Sequence, residues 1–134
     1  MTDIKLNHLA IVVDDMEAAL RFWRESLGLA QAGKIESVPA EAVDIAFLRL
    51  GDAHIELIQP TADDSGVAKY LAKRGAGMHH LCLDVPDLDA KLNELRAAGY
   101  VLINEQPRER DGRRYAFIHP ESTGGVLLEL YERV

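Results

Sequence analysis

The chain has 134 residues, a formal net charge of −7 and 48% hydrophobic residues, which is the size and composition of about one globular domain. The acidic balance argues against a polynucleotide partner, because binding a phosphate backbone requires a basic face, and the single cysteine excludes an intrachain disulfide and a thiolate zinc cluster. Because no apolar run approaches about 18 residues and the first residues lack the order of a secretory signal, we expect no membrane segment and a cytoplasmic location.

The first half of the chain predicts a strand, a helix and three strands. The opening strand is NHLAIVV at residues 7–13. It precedes a helix pattern with apolar residues on one face, which Asp14 or Asp15 would start and Gly28 would end. A weaker strand is predicted near Gln31–Val38, and the last two strands contain AFL at 46–48 and IELI at 55–58.

A linking helix at about 65–74 leads into a second half that repeats this order. Its opening strand contains HHLCLDV at 79–85, its helix would start at Asp87 and end at Gly99, and a weak strand is predicted at Val101–Asn104. A turn or mobile loop at Pro107–Arg114 precedes the last two strands, which contain AFI at 116–118 and LELY at 128–131. The sequence therefore predicts one α+β domain, 1–134, with βαβββ half-modules at about 4–60 and 77–132.

The internal repeat pairs residues whose chemistry suits a metal. His8 and His80 occupy matched places on the two opening strands, and Glu56 and Glu129 occupy matched places on the two closing strands. An acidic residue inside an apolar strand is rarely buried unless it is paired or binds a metal.

Two imidazoles and two carboxylates form a mixed nitrogen and oxygen donor set. Such a set suits one divalent ion per chain, with cobalt, manganese, nickel and zinc all open as candidates. Each of the four residues taken alone could instead be an ordinary strand residue, and the prediction depends on their joint register.

The paired His and Glu halves resemble the vicinal-oxygen-chelate superfamily, which includes glyoxalase I and the extradiol dioxygenases. More narrowly, the segments SGVAKYLAKRGAGMHHLCLDV and FIHPESTGGVLLEL resemble the methylmalonyl-CoA epimerases. The resemblance implies paired βαβββ modules that form an open, barrel-like cup around a metal. It also places His8, His80 and Glu129 at three ligand positions of that family and Glu56 at the fourth.

The reaction implied by the resemblance inverts the carbon between a thioester and a carboxylate. That carbon is weakly acidic, so the carbanion must be stabilised as an enolate, which a divalent cation can do as a Lewis acid. Inversion also needs one group to remove a proton and another to supply one on the opposite face. Glu129 is the first candidate for such a base.

The second base is open at the level of sequence. Many epimerases of this family carry a Glu at the position that is Ile45 here, and isoleucine cannot transfer a proton. The candidates are Asp44, His54, Tyr115 and a metal-bound water. His54 is slightly favoured among them because it shares strand parity with Glu56, although an exposed residue at the start of a strand is the commoner interpretation of such a histidine.

An acyl-CoA substrate requires cations for its phosphates. Lys73 lies in a basic cluster on the linking helix, and a second cluster before the seventh strand contains Arg108, Arg110, Arg113 and Arg114. Arginine suits phosphate through its planar guanidinium, although charge runs are more often solvated surface. We therefore take Lys73, Arg113, Arg114 and Tyr115 as candidate substrate contacts.

Two alternative functions share the fold. A glyoxalase I-type lactoylglutathione lyase would use the same metal set, and Glu56 fits it well. A metal-free small-molecule binding protein would bind no metal. The family resemblance further implies a homodimer. The native metal, the second base and the pathway stay open.

Overall fold

The computed structural model describes residues 3–133 and contains eight strands and three α-helices in that range. The helices are α1 (Met16–Leu20), which continues as a π-helical turn at Arg21–Ser26, α2 (Gly66–Arg74) and α3 (Leu88–Ala97). The strands are β1 (Lys5–Val12), β2 (Glu36–Val38), β3 (Val43–Leu50), β4 (Ala53–Pro60), β5 (Gly77–Val85), β6 (Arg108–Arg110), β7 (Arg113–Ile118) and β8 (Leu128–Glu132). None of the described helices is long and apolar enough to cross a membrane.

The chain forms two compact units, and β1 contributes residues to both. One unit is Leu9–His79, and the other consists of the described residues up to His8 together with those from His80 onward. The boundaries therefore fall inside β1, between His8 and Leu9, and inside β5, between His79 and His80.

The Leu9–His79 unit has the strand order β2-β3-β4-β1, in which β2 pairs antiparallel with β3 and β3 pairs antiparallel with β4. One face of its strands packs with α1 in a core that includes Met16, Leu20, Leu48 and Leu57. A smaller cluster on the other face includes Val43 and Ile58, with Val67 of α2 packed against it. Both faces of these strands are therefore partly covered within the unit.

The second unit has a mixed arrangement with the strand order β1-β5-β8-β7-β6. β5 pairs in parallel with β8, whereas β8 pairs antiparallel with β7 and β7 pairs antiparallel with β6. α3 packs Leu88 and Leu92 against the aliphatic face of these strands in a core that also holds Ala116 and Leu130. The opposite face carries the polar side chains described below.

The predicted helix starts are confirmed for both half-modules. Asp15 and Asp87 precede α1 and α3 in extended conformation, and their side chains accept hydrogen bonds from the backbone amides of Ala18 (3.2 Å) and Ala90 (3.0 Å). Such a cap satisfies one of the amides that a helix start leaves without an intrahelical partner. Asp15, rather than Asp14, is the cap of the first helix.

One predicted strand is wrong in position. Val101–Asn104 makes only an isolated bridge, Leu102 to Ile118, and the sixth strand instead forms at Arg108–Arg110. The reason lies in the turn after it: Asp111 and Gly112 both have positive φ, 54° and 77°, which is the conformation of a tight hairpin turn. Of the two alternatives predicted for Pro107–Arg114, a turn or a mobile loop, the turn is confirmed, and it joins two strands of a hairpin. The α+β class and the two successive βαβββ runs are confirmed.

Candidate metal centre and active site

Three of the predicted ligands meet within the unit that contains β5 and β8. The Nε2 atoms of His8 and His80 lie 3.1 Å apart. Glu129 Oε1 lies 3.1 Å from His80 Nε2 and 3.5 Å from His8 Nε2. Three donor atoms from three strands thus converge on one point.

Strand geometry explains this convergence. Alternate residues of a strand share a face, and β5 and β8 are aligned so that Cys82 is paired with Glu129. His80, two residues before Cys82, is therefore on the same face as Glu129, whereas Leu128 and Leu130 point to the core shared with α3. His8, His80 and Glu129 are 2%, 9% and 1% exposed, so all three polar groups are buried.

The donor geometry fits a divalent cation. An ion about 2.0–2.2 Å from each nitrogen and oxygen ligand holds neighbouring donor atoms about 3.0–3.4 Å apart, and the observed separations span 3.1–3.5 Å. Imidazole nitrogen and carboxylate oxygen are ligands that zinc, cobalt, nickel and manganese accept.

The second oxygen of Glu129 is held by an arginine. Arg110 Nη2 donates to Glu129 Oε2 at 3.1 Å and to the Tyr131 hydroxyl at 2.6 Å. Its guanidinium lies 4.5 Å from the centre of the Tyr115 ring, a cation–π distance. Burial, together with the Glu129 carboxylate, raises the pKa of Tyr131 to about 12. Arg110 therefore leaves Oε1 of Glu129 directed at the two histidines.

Cys82 is a further potential ligand on this face. It is fully buried, and its sulfur lies within 4.8 Å of ligand atoms of His8 and Glu129. The spacing of Cys82 along its strand indicates that it shares a face with His80, but not that β8 places Glu129 opposite it.

The remaining predicted ligand and the favoured second base lie together in the Leu9–His79 unit. His54 Nε2 and Glu56 Oε2 on β4 are 2.9 Å apart, and their side chains are 31% and 14% exposed. His54 also contributes to the wall of a cavity of about 330 Å³ with Phe47, Arg49 and Asp52. Glu56 as the fourth metal ligand stays a prediction.

Ile45, which replaces the glutamate of the family, and its neighbour Asp44, a candidate base, point to opposite faces of β3. Ile45 packs in the cluster with Val43 and Ile58, and its partner across the ladder is Ile58. Asp44 is paired with Gln59 and therefore points to the opposite face from Ile45. Its carboxylate accepts a 2.6 Å hydrogen bond from the Ser37 hydroxyl.

The candidate substrate contacts lie on β7 and at the end of α2. Tyr115 lies beside Arg110 on the polar face of β7. Arg113 and Arg114 already have carboxylate partners, with Arg113 bound to Asp84 at 2.6 Å and Arg114 bound to Asp89 at 2.7 Å. Lys73 is exposed in the last turn of α2.

Sequence reasoning missed three residues near the histidines, namely Asn7, Asp84 and Tyr131, and treated Arg110 only as a phosphate contact. A signal was present for two of them: Asp84 and Tyr131 follow Cys82 and Glu129 by two positions on their strands, so parity places them on the same face. Their individual contacts depend on pairings between distant segments.

Comparison with known proteins identifies the family of the chain. Residues 7–117 match the model of the Glyoxalase/Bleomycin resistance protein/Dioxygenase superfamily. An ethylmalonyl-CoA/methylmalonyl-CoA epimerase of Cereibacter sphaeroides is 38% identical, over 94% of this chain and 96% of that protein.

Solved structures agree with the sequence relatives. A methylmalonyl-CoA epimerase from Mycobacterium tuberculosis superposes with a TM-score of 0.82 at 36% identity, covering 96% of this chain and 87% of that one. A methylmalonyl-CoA epimerase in complex with methylmalonyl-CoA and NH4+ superposes with a TM-score of 0.83 at 31% identity, covering 97% and 94%. A protein of Arabidopsis thaliana named "Probable lactoylglutathione lyase, chloroplastic" is 30% identical, but the chain covers only 36% of its length.

Proposed function

Because this chain belongs to the Glyoxalase/Bleomycin resistance protein/Dioxygenase superfamily and, within it, to the methylmalonyl-CoA epimerases, we propose that it inverts the α-carbon of methylmalonyl-CoA at a metal site built from His8, His80 and Glu129. The single structural observation that carries this proposal is the convergence of the three buried donor atoms within 3.5 Å of one another. The enzyme class is that of the racemases and epimerases.

The chemistry sets what the site must provide. Removing the α-proton of a malonyl thioester yields an enolate, whose negative charge must be stabilised in a site that excludes water. His8, His80 and Glu129 would hold one divalent ion, with Glu56 proposed as the fourth ligand. When bound, that ion supplies Lewis-acid stabilisation of the enolate. Cobalt, manganese, nickel and zinc are the candidates.

Glu129 is the proposed base on one face of the α-carbon. Its Oε2 accepts a hydrogen bond from Arg110, and this contact fixes the orientation of the carboxylate plane. A positioned carboxylate that accepts a proton in the transition state contributes about 10²–10⁴-fold to the rate. Glu129→Gln keeps the shape of the side chain and removes this capacity.

His54 is the proposed acid/base on the other face. Its imidazole and the Glu56 carboxylate are 2.9 Å apart, and such a pair orients a histidine for proton transfer. Tyr115 is a weaker candidate because a phenol hydroxyl is a poor base near neutral pH. Asp44 is the weakest, since it points to the opposite face from Ile45.

A two-base mechanism predicts an asymmetric defect in His54→Asn. Glu129 would still exchange the α-hydrogen of one epimer with solvent deuterium, whereas the other epimer would neither exchange nor invert. The measurement is deuterium incorporation from each pure epimer by NMR or mass spectrometry. Equal residual exchange from both epimers would exclude His54 as the second base.

Binding of the CoA phosphates is proposed for the exposed cations. Arg113 and Arg114 could contact phosphate only in competition with Asp84 and Asp89, whereas Lys73 is exposed at the end of α2. Lys73 is therefore the stronger proposal, with Tyr115 proposed as a contact for the acyl part. Lys73→Gln should raise KM with little change in kcat, the result expected when uniform binding is lost.

The test of the overall proposal is hydrogen exchange at the substrate α-carbon. Metal-loaded wild-type protein in deuterium oxide should exchange and invert methylmalonyl-CoA, and Glu129→Gln should not. Turnover of the glutathione–methylglyoxal hemithioacetal, with none of methylmalonyl-CoA, would establish the lyase alternative. Wild-type protein that retains no metal by elemental analysis and shows no exchange would support the metal-free binding protein.

A homodimer is proposed from the family resemblance, and a cytoplasmic location is proposed separately from it. A homodimer should give twice the mass of the 14.8 kDa chain in light scattering, and a monomeric mass across micromolar concentrations would contradict it. A cytoplasmic location is tested by fractionation of the source cells.

A further inference from the structure

A series of hydrogen bonds extends from His8 Nδ1, the ring nitrogen that does not face His80 and Glu129. His8 Nδ1 lies 2.6 Å from Asn7 Oδ1, and Asn7 Nδ2 donates to Asp84 Oδ1 at 3.0 Å. Arg113 Nη2 donates to the same carboxylate oxygen at 2.6 Å. All four residues belong to the unit that contains His80 and Glu129.

The chemistry of these groups fixes the direction of every hydrogen bond. The Asp84 carboxylate, ion-paired with Arg113, can only accept. The NH₂ group of Asn7 must therefore face Asp84, which leaves the Asn7 oxygen facing His8. An amide oxygen cannot donate, so His8 must carry a hydrogen on Nδ1, and in the neutral imidazole Nε2 then presents a lone pair toward His80 and Glu129.

Arg113, at the other end of this series of hydrogen bonds, is itself anchored by two contacts. Arg113 Nε donates to the backbone oxygen of Glu132 at 3.2 Å, and its guanidinium lies 4.5 Å from the centre of the Tyr131 ring. This anchoring restricts Asp84, which in turn prevents the Asn7 amide from turning over. If the Asn7 amide were turned over, its NH₂ group would face His8 Nδ1 and favour the tautomer that carries its hydrogen on Nε2.

We propose that Asn7 is a positioning residue that fixes the tautomer and ring orientation of His8 for metal binding, with Asp84 and Arg113 fixing Asn7. This proposal rests on the proposed function insofar as the metal binds at His8, His80 and Glu129. Removing the group that hydrogen-bonds the other ring nitrogen of a metal-binding histidine changes metal affinity by about 10–100-fold.

The first experiment measures metal affinity of the full chain rather than activity. Co²⁺ titration by absorption spectroscopy should show binding weakened about 10–100-fold in Asn7→Leu, which keeps the approximate size of the side chain but cannot accept a hydrogen bond. Asn93→Leu, an exposed site on α3, is the matched control and should bind like the wild type. Asp84→Asn should show a smaller loss, and it serves as the second variant if Asn7→Leu fails to fold.

The second experiment observes the tautomer directly. Two-bond ¹H–¹⁵N correlation spectra of the metal-free wild type should show His8 protonated at Nδ1, and Asn7→Leu should shift the signal toward the other tautomer. A wild type protonated at Nε2, or unchanged Co²⁺ affinity in Asn7→Leu, would overturn the proposal. Wild-type protein that binds no Co²⁺ would refute the proposed metal site, and the tautomer spectra would then decide the role of Asn7 alone.

Discussion

At the scale of single residues, burial separates the two repeat-related glutamates. Glu129 is 1% exposed, and a carboxylate that far from water must be compensated by partners. Its two oxygens have separate ones, the histidines at Oε1 and Arg110 at Oε2. Glu56 is 14% exposed and is paired with His54. The strand pattern alone predicts the same environment for both glutamates.

Arg110 should matter for catalysis although it is outside the predicted donor set. In Arg110→Met, Oε2 of Glu129 loses its donor and the carboxylate can rotate, so kcat should fall about tenfold or more. The measurement is steady-state kinetics on methylmalonyl-CoA with circular dichroism as a check of folding. Arg21→Met, an exposed arginine after α1, is the control, and a wild-type kcat in Arg110→Met would show that Glu129 needs no such support.

At the scale of elements, the hairpin of β6 and β7 determines where Arg110 lies. Arg110 is paired with Arg113 across the Asp111–Gly112 turn. The turn therefore fixes the distance of Arg110 from β8 and hence from Glu129. The strand pattern alone predicts the sixth strand seven residues earlier, because the apolar residues at 101–103 outweigh the charged ones at 108–110.

Gly112→Ala should destabilise the protein by about 1 kcal/mol. A Cβ at Gly112 would meet no atom within 4 Å, so the cost comes from the positive φ of 77° and not from a clash. The free energy of unfolding in urea measures it. Gly66→Ala, at a helical position that is equally open, should instead stabilise by about 0.4–1 kcal/mol, and equal effects of the two substitutions would contradict the backbone explanation.

The ion pair between α3 and β7 should make stability depend on acid pH. A hydrogen bond from Arg114 lowers the pKa of Asp89 below its usual value of 3.8. The ionised form is thus favoured by folding, so its contribution is present above the unfolded pKa and is lost as the pH falls through the folded one.

Asp89→Asn should lower the melting temperature slightly at pH 7, and this difference should disappear at a pH low enough to protonate Asp89 in the wild type. The comparison requires thermal melts of both proteins at the two pH values. A difference that persists at low pH would assign the effect to the shape of the side chain instead of its charge.

At the scale of the whole molecule, the repeat and the compact units divide the chain differently. The repeat separates the halves in the linking segment near α2, whereas the compact units divide β1 after His8. His8 thereby joins His80 and Glu129 in one unit although it is 72 residues from His80. The three donor atoms thus link the start of the chain to its second half.

Metal loading should therefore stabilise the fold. An ion that binds only the folded chain adds about 2.7 kcal/mol when its free concentration is 100 times its Kd. Thermal melts with chelator and with added Zn²⁺ or Co²⁺ measure this increment. His80→Ala should lose the increment while keeping the melting temperature of the metal-free wild type within a few degrees, and an undiminished increment would place the metal elsewhere.

The sequence by itself determined the α+β class, the repeated βαβββ order, a helix cap at Asp14 or Asp15 and another at Asp87, and the parity that makes His8, His80 and Glu129 candidate ligands. These features are local or periodic, so the spacing of residues along one strand or helix is enough to predict them. Only the tertiary structure decided the position of β6, the hydrogen bonds of Arg110 and the tautomer that Asn7 imposes on His8. Asn7, Asp84 and Arg113 come from three distant segments, and their contacts depend on strand register and side-chain reach that no local pattern encodes.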